Sequence, residues 1–192
     1  MGIFIIIFWA VLVTEVVIRA PISRQQRKEA KSDQRSSAQE KILLGLLSIF
    51  GFLTPLIYAV TPWLNFANYS LPAWAGWLGV VLILAALFVF WRGHVDLGLN
   101  WSPTLEIRTE HKLIMNGIYG MIRHPMYASQ WIWVIAQSLL LQNWIAGFLS
   151  IPVWALFYFL RVSAEERMML DTFGDKYREY VNKTGAVFPR AK

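Results

Sequence analysis

The sequence predicts an all-α, polytopic membrane protein: about five transmembrane helices, then a C-terminal amphipathic helix at the membrane interface. Three observations lead there. Apolar residues make up 56% of the 192-residue chain and charged residues 16%, where a soluble domain carries about a quarter charged residues. The apolar residues are gathered into runs of membrane-helix length. The basic residues lie between those runs, where they report orientation across a bilayer. A net charge of +6 is no sign of a nucleic-acid partner, because no basic patch falls on a soluble domain. The chain has no cysteine, which excludes disulfides, zinc-thiolate sites and cysteine nucleophiles together.

Residues 2–18 are apolar apart from Thr14 and Glu15. They lack the basic start and the small-residue cleavage site of a signal peptide, so they read as a retained span. Glu15 is costly inside a bilayer and is expected near the polar boundary or facing other helices. Residues 19–41 carry Arg19, Arg24, Arg27, Lys28, Lys31, Arg35 and Lys41 among Ser and Gln and read as a solvated connector that sets topology, or a lipid-headgroup contact. Residues 42–64 contain no charge. At about 1.5 Å per residue they suffice to cross a core of roughly 30 Å, with a kink expected at Pro55. Gly45 and Gly51 in this span read as close-packing positions.

Residues 61–72 read as a short uncharged turn and residues 71–91 as a third span, with Gly76 and Gly79 offering close approach to a neighbour. Residues 92–123 are polar. Residues 126–141 and 144–160 form a hairpin turning at Gln142 and Asn143, each arm roughly 24 Å long at 1.5 Å per residue and therefore short for a full crossing. In residues 164–181, Met169, Phe173, Tyr177 and Tyr180 recur at helical spacing among charges, the pattern of an interfacial amphipathic helix.

Five spans place the connectors 19–41 and 92–125 and the C-terminal segment on one side, with nearly all the Lys and Arg. The turns 61–72 and 142–143 hold none. That asymmetry assigns the basic side to the cytoplasm and the N-terminus to the outside. The whole chain reads as one membrane domain, with three helices in residues 1–92 and the binding and catalytic half in 93–192.

The stretch from Asn116 to Tyr127, NGIYGMIRHPMY, is the candidate site. The residue before a proline avoids the α region, so His124 marks the boundary and Pro125 the first turn of the next helix. A helix start offers free N–H groups and a positive dipole end, suited to a carboxylate or phosphate. Further on, Arg161 and Glu165 are spaced i,i+4 and share one helix face where the fifth span leaves the membrane. Alone, that pair reads equally as a snorkelling arginine with a surface ion pair. His94 and His111 have neither a close pair spacing nor cysteine neighbours, so no metal site is expected. No G-x-G-x-x-G follows a strand, so a Rossmann nucleotide site is excluded.

In order and spacing, Gly117-Ile118-Tyr119, Arg123-His124-Pro125-Met126-Tyr127, Arg161 to Glu166, and Phe173-Gly174 with Tyr177 and Tyr180 resemble the isoprenylcysteine carboxyl methyltransferase family, over roughly residues 98–189. Related phospholipid N-methyltransferases share the pattern. The resemblance implies S-adenosylmethionine as cofactor, surrounded by His111, Lys112, Leu113, Ile114, Tyr119, His124, Pro125, Met126 and Tyr127. It places Arg161 against the methyl acceptor. It also places one glutamate of the pair on the cofactor: Glu165 by first choice, Glu166 as the alternative, because the two-Glu run leaves the register open. Thr104 falls near another family cofactor position, where relatives tend to carry an amide. Aromatic rings suit adenine and a sulfonium, and a carboxylate suits the ammonium. The implied function is methylation of the carboxylate of a prenylcysteine-like lipidic acceptor within the membrane. The alternatives are phospholipid N-methylation, an NADPH-dependent sterol-type reductase with a similar RHPxY segment, and a non-enzymatic membrane scaffold.

Overall fold

The computed structural model describes residues 2–26, 31–34, 38–98, 106–108 and 112–190. Helix α1 (Gly2–Gln26) packs on α4 (Ala73–Leu97), whose Gly76 takes the ring of Phe4. On α4, Gly79 lies against Leu139 and Leu140, and Gly93 against Met126 and Pro125, so helix α5 (Pro125–Leu141) can lie close along it. Small residues at such crossings let backbones approach where lipid gives no hydrophobic drive to associate. Gly76 and Gly79 are therefore close-approach positions, as the sequence indicates. Gly45 and Gly51 are not: no neighbour stands where a Cβ would reach at either.

The second span is α2 (Ala38–Ser48), a wide π-turn (Ile49–Leu53) and α3 (Thr54–Val60). The π-turn takes up the break before Pro55, so the proline acts through one wide turn rather than a simple kink. A second π-turn, Trp144–Phe148, leads into α6 (Ser150–Phe173). Gln137, fully buried on α5, donates its amide hydrogens to Phe50 O (2.9 Å) and Ala146 O (2.7 Å), one carbonyl in each π-turn.

Four stretches are long and apolar enough to cross a membrane: Gly2–Arg24, Ala38–Val60, Ala73–Leu97 and Trp144–Phe173. Helix α5, with 17 residues and a length of about 25 Å, is the buried inner helix of the bundle, carrying Trp133, Val134, Ala136 and Leu140 into the core. The outer faces are apolar and exposed, with Ile6, Val17, Val81, Phe88 and Phe159 among them. The protein is thus an integral, multi-pass membrane protein, all-α apart from a two-stranded antiparallel ribbon that pairs β1 (Lys31–Gln34) with β2 (Glu106–Arg108).

The ends of the bundle follow the charge pattern. At one end Asn143 donates to Leu64 O (2.7 Å) and Asn68 Oδ1 (2.9 Å), while its own oxygen caps Ile145 and Ala146, so the two uncharged turns meet. At the other, the ribbon joins the two polar connectors. Two boundaries differ from the sequence reading. Helix α1 runs through Arg19 and Arg24 to Gln26. Helix α6 continues past Leu160 to Phe173, because residues 161–166 contain no helix breaker. Gly174, at φ +55°, makes the turn into α7 (Asp175–Lys183).

Candidate functional site

Three elements meet at the polar end. His124 has φ −124° and ψ 59°, outside the α region as its place before Pro125 demands, and Pro125 opens α5. The preceding 3-10 turn, Gly117–Gly120, is held by Asp96 on α4, whose Oδ2 accepts from Ile118 N at 2.8 Å. Arg92 donates to the same carboxylate at 2.8 Å. Gly117 sits at φ +58° with Asp96 where a Cβ would be, so only glycine fits.

The C-terminal segment closes over this stretch. Arg123 N and His124 N donate to Gly185 O and Ala186 O at 2.8 and 2.9 Å. The Arg123 guanidinium donates to Thr184 O (2.6 Å) and to Glu166 Oε1 (2.9 Å), and Tyr180 OH donates to Tyr119 O at 2.6 Å.

On α6, two adjacent glutamates take different partners. Glu166 receives Arg123 and His124 Nε2, the latter at 3.0 Å. Glu165 receives the hydroxyl of Tyr127 at 2.5 Å and lies 3.6 Å from His124 Nδ1 and 4.0 Å from Arg161 Nε. The buried His124 imidazole therefore bridges two carboxylates. Burial alone would push it down, but the hydrogen bonds and charges of Glu165 and Glu166 outweigh that and raise it to about 9. His124 is an imidazolium at neutral pH.

This has a measurable consequence. A histidine raised in the folded state stabilises fully below its ordinary value of about 6.5. That contribution fades as pH climbs through about 9. The thermal midpoint of the detergent-solubilised protein is expected to fall between these limits. In His124→Gln the fall should be shallower; equal slopes in the two proteins would refute the assignment.

A cavity of about 630 Å³ opens beside these groups. Lys112, Leu113, Ile114, Tyr119, His124, Pro125, Met126, Tyr127, Arg161 and Glu165 all line it. Glu166 does not, its carboxylate being taken up by Arg123 and His124. His111 and Thr104 lie outside the described residues. Among those described, no group of three His, Asp or Glu side chains has the arrangement of a metal site.

Away from the polar end the lining becomes apolar, with Leu12 on α1, Leu44 and Leu47 on α2, Trp133 and Val134 on α5, and Val153 on α6. The Trp154 ring stands 5.8 Å from that of Tyr127 and stacks on Phe157 at 5.2 Å.

Sequence reading missed the contribution of the first two spans. Glu15 lines the cavity and accepts from Gln130 Nε2 at 2.7 Å, with Arg19 beside it. Glu40, in the first turn of α2, is ion-paired with Arg161 Nη1 at 2.5 Å, and both side chains are more than nine-tenths buried. An acidic residue at a helix start reads as a dipole partner; nothing local announces a partner 121 residues away. The chemistry on offer is a carboxylate, an arginine edge and aromatic rings at the head of an apolar chamber.

Comparison with known proteins points to one family. Residues 77–171 match the model of the isoprenylcysteine carboxyl methyltransferase family. The chain is 35% identical over 98 residues to a protein-S-isoprenylcysteine O-methyltransferase of Schizosaccharomyces pombe, covering 50% of this chain and 41% of that protein. It is 24% identical over 147 residues to protein-S-isoprenylcysteine O-methyltransferase B of Arabidopsis thaliana, covering 75% and 71%. The matched part thus spans less than half of the first relative and more than two thirds of the second. A solved structure of the eukaryotic intramembrane Ras methyltransferase of this kind superposes with a TM-score of 0.61 over 95% of this chain and 64% of that one. At 21% identity that likeness speaks for the fold.

Proposed function

The chain belongs to the isoprenylcysteine carboxyl methyltransferase family, and from that premise we propose that it transfers a methyl group from S-adenosylmethionine to the carboxylate of a prenylcysteine-like lipidic acceptor. The observation that carries this reading is the convergence of Glu165, Tyr127, His124 and Arg161 at the head of one cavity that continues along apolar walls of Leu12, Leu44, Leu47, Trp133, Val134 and Val153.

The residues present fit such a donor. The Glu165 carboxylate, partly open to the cavity, suits its ammonium. The rings of Tyr119 and Tyr127, both on the cavity wall, suit adenine and attract a sulfonium through their faces. The free N–H groups at the start of α5 suit its carboxylate. Glu165 is the glutamate we assign to this role, because it lines the cavity, whereas Glu166 does not and is committed to Arg123 and His124.

When bound, the donor supplies an electrophilic methyl on sulfur. The acceptor carboxylate is already ionised at neutral pH, so no general base is required. Its oxygen forms a bond to the methyl carbon as the carbon–sulfur bond breaks and the electron pair stays on sulfur. Arg161 orients the acceptor, and the apolar walls hold its tail and exclude water. Alignment then supplies most of the acceleration, since well-oriented intramolecular reactions reach effective molarities of about 10⁵–10⁸ M. From the basic connectors we infer a cytoplasmic position for this end of the bundle and an outside N-terminus, with a water-soluble donor entering from the cytoplasm and the lipid from the bilayer.

Radiolabelled methyl transfer in detergent micelles tests the reading. A farnesylcysteine analogue should be labelled and phosphatidylethanolamine should not, and calorimetry should show S-adenosylhomocysteine binding and no NADPH binding. Labelling of the phospholipid alone, or NADPH binding alone, overturns the assignment.

A further inference from the structure

Arg161 and Glu40 form a buried ion pair between α6 and α2. Arg161 lines the cavity and Glu40 does not, so among the described residues the carboxylate stands behind the guanidinium as seen from inside. Glu40 also lies outside the stretch that matches the family, residues 77–171.

The contacts divide the guanidinium into two edges. Nη1 goes to Glu40 Oε1. Nε is buried, has no hydrogen-bond partner among the described residues, and lies 4.0 Å from Glu165 Oε2. The group stands over the Phe157 ring, 5.3 Å from its centroid. A guanidinium is planar and presents its donors in a fixed fork, so a bond at Nη1 together with the ring beside it restricts where the remaining donors point.

We infer that Glu40 is a positioning residue for acceptor methylation: from behind the cavity wall it aims Arg161 at the acceptor carboxylate and moderates its charge. This rests on the methyltransferase reading above. The physical reason is a conflict in what the arginine must do. A carboxylate gripped by an uncompensated buried guanidinium is bound tightly, but its oxygen is a poorer nucleophile. Binding that is equally strong in the ground state and the transition state does nothing for turnover. A second carboxylate on the same guanidinium weakens that grip and leaves its direction fixed.

The test is the steady-state kinetics of Glu40→Gln, which removes the charge and keeps the shape, with a farnesylcysteine analogue as acceptor. KM for the acceptor should fall, because Arg161 is left more positive. Turnover should fall by about 10²-fold, the scale of a small misplacement of a reacting group. S-adenosylhomocysteine affinity, read by calorimetry, should not change, because Glu40 does not touch the cavity.

Glu40→Asp keeps the charge but draws the guanidinium back. It should retain the wild-type KM with reduced turnover, and it decides the matter if Glu40→Gln fails to fold. A raised KM with unchanged turnover in Glu40→Gln, or wild-type kinetics in either variant, would overturn the inference. Absence of transfer by the wild-type protein itself would instead sink the methyltransferase reading, so the two failures are distinguishable.

Discussion

Replacing Arg161 is expected to cost the protein at least about 10²-fold in methyl transfer while leaving S-adenosylhomocysteine affinity largely unchanged. Arg161 sits on α6 one turn before Glu165, which lies 4.0 Å away, and its nearer ionic partner is Glu40. The simple alanine variant carries a side effect: it breaks a buried ion pair by removing one partner, which costs about 3–5 kcal/mol of stability. The informative experiment therefore pairs Arg161→Ala with Glu40→Gln, which removes both charges of the pair, and adds Arg161→Lys. Lysine keeps the charge but loses the planar fork, which is not a conservative change at a site that depends on direction. Transfer and calorimetric binding are measured on the same preparations. Parallel loss of both would show that Arg161 belongs to the donor's site rather than the acceptor's.

Glu165→Ala should give the opposite pattern, with donor affinity as the first casualty. The proposed contact is a charge-assisted hydrogen bond worth about 1.5–3 kcal/mol, so dissociation constants should rise by about 10- to 100-fold. Glu166→Ala is the matched control. Glu166 is adjacent in sequence and carries the same side chain, but its carboxylate is taken up by Arg123 and His124 and does not line the cavity. It should loosen the C-terminal segment and lower thermal stability with a much smaller effect on binding. If calorimetry on folded protein ranks the two glutamates the other way, the register assigned to the pair is wrong.

Much of this arrangement was legible in the sequence, for identifiable reasons. Pro125 fixes a helix start, the uncharged runs fix the spans, and the absence of charge in residues 61–72 and 142–143 puts both turns at one end, where Asn143 joins them. The stretch from Asn116 to Tyr127 and the pair Arg161 and Glu165 stand out in the sequence by residue type and spacing, and their proposed roles come from the resemblance to a family.

What was not legible depends on contacts distant in sequence. Glu40 reads as an ordinary helix-start acid until α2 and α6 are packed together, and Glu15 reads as a cost until Gln130 is found opposite it. Gly45 and Gly51 look like Gly76 and Gly79 in sequence, but only the latter two face another helix. The end of α6 was placed too early because apolarity falls at Arg161. Helical continuity depends on the backbone rather than on hydropathy, and the first forced turn is Gly174.

The bonds from Arg123 N and His124 N to the carbonyls of Gly185 and Ala186 have a bearing on biosynthesis. The candidate membrane spans among the described residues all end by Phe173, so a released polypeptide cut short of residue 184 keeps every one of them and loses the carbonyls that hold the backbone of Arg123 and His124. Such a polypeptide should be found integrated in the bilayer and catalytically silent.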